Sequence, residues 1–156
     1  MRWPDGMEPE RAAVHARNEL IIPADPGRIW RWLCRASKWS EWYSNCGWVR
    51  FPAGGGPDLG PGSSFVWKTF GVRVRSAVVV FEPHAEIGWT ATAFGLSAYH
   101  GWTLEPFAGG CRVVTEGSHN GPLSAMGRWY LRRALLREHQ NWLESLRAMA
   151  IAGEPG

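Results

Sequence analysis

The feature that most constrains this chain is a series of short alternating segments that starts at residue 47 and precedes one long helical pattern. Apolar and polar residues alternate in segments that predict strands at 48–51, 63–70, 72–81, 87–94, 96–105 and 111–119. Turn-forming residues separate these segments at short intervals, which favours antiparallel hairpins over parallel strands joined by crossover helices. The last segment, from Pro122 to about Ala152, predicts a helix.

The part of the chain before residue 47 predicts one strand and two short helices. Residues 14–22 partly alternate and predict a strand, after which Asp25-Pro26 gives a helix N-cap with proline at the first helical position. Trp39, Trp42 and Tyr43 share one side of a second short helix. Residues 1–13 predict a loose tail and residues 153–156 a C-terminal tail, which leaves one domain over 14–152.

Length and composition indicate a single globular domain. The chain has 156 residues, of which 45% are hydrophobic and 20% charged, so a disordered chain is excluded. Its longest apolar runs fall far short of the ~20 residues that span a membrane. We therefore expect a soluble cytoplasmic protein without a membrane span. The cysteines Cys34, Cys46 and Cys111 form no CxxC pair, and we expect them to be reduced and structural.

Several functional classes lack their sequence signals. The histidines at 15, 84, 100, 119 and 139 show no HxH or HExxH spacing, and no nucleotide-binding motif is present. Gly117-Ser118-His119 is not a nucleophile elbow. We expect neither a metal nor a cofactor. The net charge is +3, and residues 121–152 carry five arginines and two glutamates. An Arg-rich surface for nucleic acid or protein is an alternative, but this charge is a weak footprint and we expect no nucleic-acid partner.

Tryptophan is the unusual component of this composition. The 20 aromatic residues include 11 tryptophans, more than one small core normally uses. A lined cavity or a contact surface would use this aromatic area. On the C-terminal helix, the apolar stripe of Leu131, Leu135 and Trp142 turns polar at Ser124 and Arg128, as suits a helix that crosses the mouth of a cavity.

Taken in order, these segments resemble the START-like superfamily, and within it the polyketide cyclase/dehydrase and lipid transport family. The resemblance covers residues 14–152 and is carried by several segments. These are 18–30 running into Trp39-Ser-Glu-Trp42, 62–67, the Phe81-Glu82-Pro83 corner, 100–104, and 110–116 before Gly121-Pro122. It implies an α+β helix-grip fold, in which a curved antiparallel sheet of six to seven strands surrounds the long C-terminal helix. It also implies a deep cavity for a small hydrophobic ligand.

Three residues are candidates for catalysis in such a cavity. Alternation places His100 on the same strand face as Trp102, where an imidazole could move protons at a bound carbonyl or hydroxyl. Glu116 could be a cavity carboxylate with a raised pKa, or it could pair with an arginine. Arg128 could bind an anionic group or stabilise an enolate, or it could extend into solvent.

The candidate ligand contacts are aromatic and apolar residues that alternation or helical spacing turns inward. They are Trp39, Trp42, Phe65, Trp67, Trp102, Ser124, Leu131 and Leu135. Trp30, Trp89 and Trp142 are interpreted as packing residues. This set predicts an aromatic or polycyclic ligand, held by a cofactor-independent cyclase or dehydratase. The alternative is a non-catalytic carrier or sensor of a hydrophobic molecule. A monomer and a homodimer both remain open.

Overall fold

A computed structural model describes all residues, 1–156, and contains one seven-stranded antiparallel sheet. The strands are β1 (Val14–Ile22), β2 (Cys46–Arg50), β3 (Ser64–Thr69), β4 (Val72–Glu82), β5 (Glu86–Ala93), β6 (Leu96–Phe107) and β7 (Gly110–Asn120). Their order across the sheet is β1-β7-β6-β5-β4-β3-β2, so every neighbour in sequence from β2 to β7 is a hairpin partner. The exception is β1, which pairs with β7, the last strand of the chain, so all the other strands lie between the two in sequence. This is the helix-grip fold that the family resemblance implies.

Two short helices, α1 (Pro26–Cys34) and α2 (Trp39–Trp42), follow β1. The Asp25 side chain accepts a hydrogen bond from the backbone N–H of Arg28, which caps α1 as the sequence predicts.

The C-terminal helical segment is broken where the sequence predicts one continuous helix. It forms α3 (Pro122–Met126) and α4 (Arg128–Ala152), with Gly127 between them. Glycine has weak helix propensity, and the backbone of Gly127 (φ −97°, ψ 15°) departs from helical geometry. α4 then packs across the inner face of the sheet, where Leu135 contacts Val14 and Ala16 of β1.

One end of the space between sheet and helix is filled by large aromatic side chains. Trp39 and Trp102 are fully buried, and each packs edge-on against Trp142 of α4, with ring centroids 5.1 Å apart. Phe65 packs against Trp39 at 5.8 Å. Such pairs contribute about 0.5–1.5 kcal/mol each beyond the burial of their area. These aromatic side chains therefore fill this end of the space between sheet and helix.

The N-terminal residues, for which the sequence predicts a loose tail, lie against the outer face of the sheet. Trp3 packs on Tyr99 and on His15, with ring centroids 5.2 Å and 5.8 Å apart. The Tyr99 hydroxyl donates a hydrogen bond to the backbone carbonyl of Arg2. The contact needs the neighbouring Gly88 on β5, since a Cβ there would collide with the Tyr99 hydroxyl.

Candidate functional site

A cavity of about 120 Å³ lies at the other end of the grip, between the sheet and the first turns of α4. Its wall is mostly apolar and comes from β3 to β7 and α4. The residues that line it are Tyr43, Trp67, Thr69, Phe70, Val72, Val74, Trp89, Ala91, Leu96, Ala98, His100, His119, Leu131, Leu135, His139 and Trp142. Phe70 and Val72 are also exposed on the surface, so the cavity has its mouth beside the β3–β4 turn.

Three histidines converge on this cavity from three elements. His100 lies on β6, His119 on β7 and His139 on α4. The His100 and His139 ring centroids are 4.8 Å apart. Gly117 makes room for this arrangement, because a Cβ at that position would lie 3.2 Å from His139 Cε1 and 3.7 Å from His119 Nε2. The three imidazoles are not arranged as a metal site.

His139 is the only side chain of the cavity wall with two buried polar atoms that lack a hydrogen-bond partner. It is 2% exposed, and neither ring nitrogen has a hydrogen-bond partner. Nδ1 of His119 is also buried without a partner. An unpaired buried polar group costs about 1–3 kcal/mol, so native proteins rarely keep one without a reason. A hydroxyl or carbonyl group placed in the cavity would satisfy these nitrogens.

His100 is held more firmly than the other two histidines. Its Nε2 is hydrogen-bonded to Oγ1 of Thr115 at 2.7 Å. Its ring stacks between Trp89 at 5.2 Å and Trp102 at 5.6 Å, with interplanar angles of 16° and 11°. This packing fixes the orientation of the imidazole at the cavity wall.

All three imidazoles are neutral at neutral pH. Burial lowers the pKa of His119 to about 4. Burial also lowers the pKa of His139 to about 3, with smaller contributions from His119 and His15. The pKa of His100 falls well below its ordinary value because of burial and the neighbouring His139 and His119. A neutral imidazole has one donor and one acceptor nitrogen, so this wall offers both to a ligand.

The cavity wall carries no carboxylate and no guanidinium group. Glu116 lies on the opposite face of β7, where its carboxylate contacts His15 Nε2 at 2.8 Å and Arg17 Nε at 3.5 Å. Strand alternation explains this position, because Thr115 and Gly117 beside it face inward. Glu116 is thus part of an ion-paired cluster on the outer face of the sheet.

Arg128 also lies outside the cavity. It is exposed and borders a shallow surface depression with His15 and Trp129. It shares a helix face with Leu135, but it lies one turn before Leu131, beside Val14 at the start of β1. Of the three catalytic candidates, only His100 reaches the cavity.

Some of the predicted ligand contacts also line the cavity, and the others do not. Trp67, Leu131 and Leu135 line the cavity. The other candidates occupy different places. Trp39, Phe65 and Trp102 are packed in the filled end of the grip, Trp42 packs edge-on against Trp32, and Ser124 donates a hydrogen bond to the backbone carbonyl of Asn120.

Trp89 and Trp142, interpreted from the sequence as packing residues, have ring surface in the cavity wall as well. His119 and His139 belong to the site and were not candidates. Alternation in β7 does place His119 on the face opposite Glu116, and the apolar stripe of α4 does run past His139. Alternation shows which face of a strand a residue lies on, but it does not show how far along the strand the cavity extends. It therefore does not separate residues that line the cavity from residues packed in the filled end of the grip.

The volume of the cavity limits the size of its ligand. A cavity of roughly 150 Å³ in another protein holds one benzene molecule, whereas drug-sized ligands occupy about 300–1,000 Å³. At about 120 Å³, this cavity fits a single ring or a molecule of that size. The aromatic ligand that the sequence predicts fits this volume only as a single ring.

The fold and the enclosed site define a START-like helix-grip protein with an internal cavity. The model of the polyketide cyclase / dehydrase and lipid transport family matches residues 13–150, so the chain belongs to this family. No curated protein matches the chain. None of its helices combines the length and apolar character that a membrane crossing requires.

Three solved structures illustrate how widely the fold is shared. A hypothetical protein of Helicobacter pylori, jhp0584, is 28% identical, with a TM-score of 0.89 over 96% of this chain and 95% of that chain. The di-domain aromatase/cyclase StfQ of the steffimycin pathway is 18% identical, with a TM-score of 0.75 over 89% of this chain and 51% of that one. The Zhui aromatase/cyclase of Streptomyces sp. R1128 is 14% identical, with a TM-score of 0.74 over 90% and 98%. The last two likenesses show the fold alone.

Proposed function

We propose that this protein binds a compact, mostly apolar molecule of about one ring that carries a hydroxyl or carbonyl group. We further propose that it dehydrates or cyclises that molecule without a cofactor, in the cytoplasm. The observation that carries the proposal is the pair of unpartnered ring nitrogens of His139 in the cavity wall. A polar group on an otherwise apolar ligand would restore the hydrogen bonds that this imidazole lacks.

The proposed chemistry is the loss of water from a β-hydroxy carbonyl compound. One imidazole takes the proton from the carbon beside the carbonyl, and the electron pair forms the new double bond. The C–O bond at the β-carbon breaks, and the departing oxygen receives a proton from the imidazolium and leaves as water. No oxidant or reductant is needed. His139 and His100, with ring centroids 4.8 Å apart, are the groups that would pass this proton.

The low pKa values of the cavity histidines set a condition on this chemistry. A group with a pKa of about 3 is a weak base in the empty cavity. Negative charge that develops on an enolate oxygen beside the ring would raise this pKa during the reaction. The substrate itself would therefore supply the charge that makes proton transfer favourable.

A non-catalytic carrier or sensor is the second candidate function. The absence of a carboxylate and a guanidinium group from the wall favours it, because the cavity then holds no strong acid-base partner and no fixed positive charge. Such a protein needs only an apolar cavity and a few orienting polar groups, which these imidazoles would provide.

Two probes separate these functions. Phenol has one ring and one hydroxyl, and its binding is measured by titration calorimetry. 3-Hydroxycyclohexanone loses water to give a conjugated enone, which is followed by ultraviolet absorption. Catalysis predicts that wild type accelerates enone formation and that His139→Gln lowers kcat by about 10²- to 10⁴-fold while phenol still binds. A carrier predicts phenol binding with no acceleration.

A matched control keeps the result specific to the cavity. His15→Gln changes a histidine on the outer face of the sheet, and it should leave both readouts unchanged. If phenol does not bind to wild type, the proposed ligand class is wrong for both functions. Native mass spectrometry of freshly purified protein would then identify any molecule that the cavity retains.

A further inference from the structure

Large apolar side chains are exposed together at the end of the molecule where the cavity opens. Phe94, at the β5–β6 turn, is 96% exposed, and Met126, Trp129 and Tyr130 of α3 and α4 are 85%, 79% and 81% exposed. The turn and α3 lie against each other, because a Cβ at Gly95 would be 3.0 Å from Cδ1 of Leu123. We call Phe94, Leu123, Met126, Trp129 and Tyr130 the apolar rim.

Arginines without acidic partners surround the apolar rim. Arg73 and Arg75 border a depression beside Phe94, while Arg132 and Arg133 border one beside Trp129 and Tyr130. The ion pairs of α4 involve other arginines, Arg137 with Glu138 and Arg147 with Glu144. Together with Arg128, five arginines of this end form no salt bridge.

Three long segments that contribute to this end of the molecule contain no acidic residue, whereas the N-terminal segment that reaches Asn120 contains Asp5, Glu8 and Glu10. Residues 59–81, 87–104 and 117–137 include no Asp or Glu, although the chain has 14 of them. An ordinary solvated surface mixes both signs of charge, so this end presents a positive potential around an apolar centre. The whole-chain charge of +3 conceals this asymmetry.

We infer that the apolar rim and its arginines dock on the surface of an anionic lipid bilayer. Trp and Tyr side chains favour the boundary between headgroups and acyl chains, and arginines favour anionic headgroups. The same end carries Phe70 and Val72, so docking would turn the mouth of the cavity toward the bilayer. The inference rests on the surface and does not depend on the reaction proposed for the cavity.

Charge and geometry favour a bilayer over the other partners of an arginine-rich surface. Single-stranded nucleic acid uses a basic groove with aromatic platforms, whereas Phe94, Met126 and Trp129 protrude from turns and helix ends. A second copy of this chain, docked through the same surface, would bring five unpaired arginines against five more, and these like charges would repel each other.

Cosedimentation with vesicles tests the inference. The full chain is mixed with vesicles of phosphatidylcholine alone and with vesicles that also contain phosphatidylglycerol, at low and high salt. We expect binding to the anionic vesicles only, reduced by salt. Arg132→Gln with Arg133→Gln should weaken it about 25-fold, since each arginine near an anionic surface contributes a factor of about five. Trp129→Ala should weaken it about tenfold.

The matched control removes the same charge elsewhere. Lys38→Gln with Arg147→Gln lowers the charge equally, and Arg147 lies about 22 Å further along α4 than Arg132. This variant should bind like wild type. All substituted side chains are at least partly exposed, so these variants should fold.

Three results would overturn the inference. Equal binding to both vesicle types would show that anionic headgroups are not needed. Equal weakening by the control variant would show that binding depends on total charge and not on the arginines of this end. A dimer in solution that Trp129→Ala converts to a monomer, without vesicle binding, would assign the apolar rim to a second copy. Vesicle binding that is lost only in the rim variants supports it.

Discussion

His139→Leu should stabilise this protein while it removes function. The ring of His139 is buried in α4 with both nitrogens unpaired, so its replacement by an apolar side chain removes an uncompensated polar group. Proteins keep such destabilising residues mainly at functional sites. The variant therefore tests whether the imidazole is retained for a ligand or for the fold.

The expected magnitude follows from three contributions. Removing an unsatisfied buried polar group gains about 1–3 kcal/mol. Leucine also has a higher helix propensity than histidine, worth a few tenths of a kcal/mol. The change of shape costs up to about 1.5 kcal/mol. We expect the free energy of unfolding to rise by about 1 kcal/mol, which corresponds to roughly 2–4 °C in Tm for a chain of this size.

Urea unfolding followed by circular dichroism at neutral pH measures this difference. The control is His15→Leu, because His15 is hydrogen-bonded to Glu116 at 2.8 Å. Loss of that partly exposed contact should lower the free energy of unfolding by up to about 1 kcal/mol, the opposite sign. A loss of more than about 1 kcal/mol in His139→Leu would refute the reasoning, since it would mean that the ring has partners in the fold.

Three other predictions concern the cavity. The folded-state pKa values of His119, about 4, and His139, about 3, lie below the unfolded value, so the stability that they contribute is complete above about pH 6.5 and is lost as pH falls. Between pH 7 and pH 5 each of the two should cost roughly 2 kcal/mol of unfolding free energy, so urea unfolding of His139→Leu should show a loss that is smaller than that of wild type by about this amount. Gly117→Ala places a methyl group 3.2 Å from the His139 ring, so calorimetry should find phenol binding weakened by about 1 kcal/mol, and unchanged affinity would contradict the geometry. Ala91→Leu fills the cavity, and it should abolish phenol binding while stability changes by less than about 1.5 kcal/mol, whereas retained binding would place the ligand elsewhere.

The fold was accessible from the sequence because its signals are local. Alternation within each strand and the Asp25-Pro26 helix start give the element order, and the hairpin spacing gives the antiparallel sheet. The break at Gly127 was missed, because a single glycine inside a helical pattern is often tolerated. The packing of Trp3 on Tyr99 was also missed, since no periodicity marks a segment that crosses an outer sheet face.

The site was only partly accessible, because it depends on where side chains meet in three dimensions. Strand alternation predicted that His100 and Trp67 face the cavity, and the apolar stripe of the C-terminal helix predicted the same for Leu135. Trp102 has the same strand parity as His100, yet it lies in the filled end of the grip. The approach of His139 to His100 joins an α-helix to a strand 39 residues earlier, and no local pattern records it.

Nitrogen-15 NMR of histidine-labelled protein, with and without phenol, tests the central claim most directly. The account predicts that His100, His119 and His139 remain neutral down to about pH 5 and that phenol shifts the ring nitrogens of His139 saturably. The His139→Leu variant assigns that signal. Protonation of these rings near pH 6.5, or His139 signals that do not respond to phenol, would contradict the account.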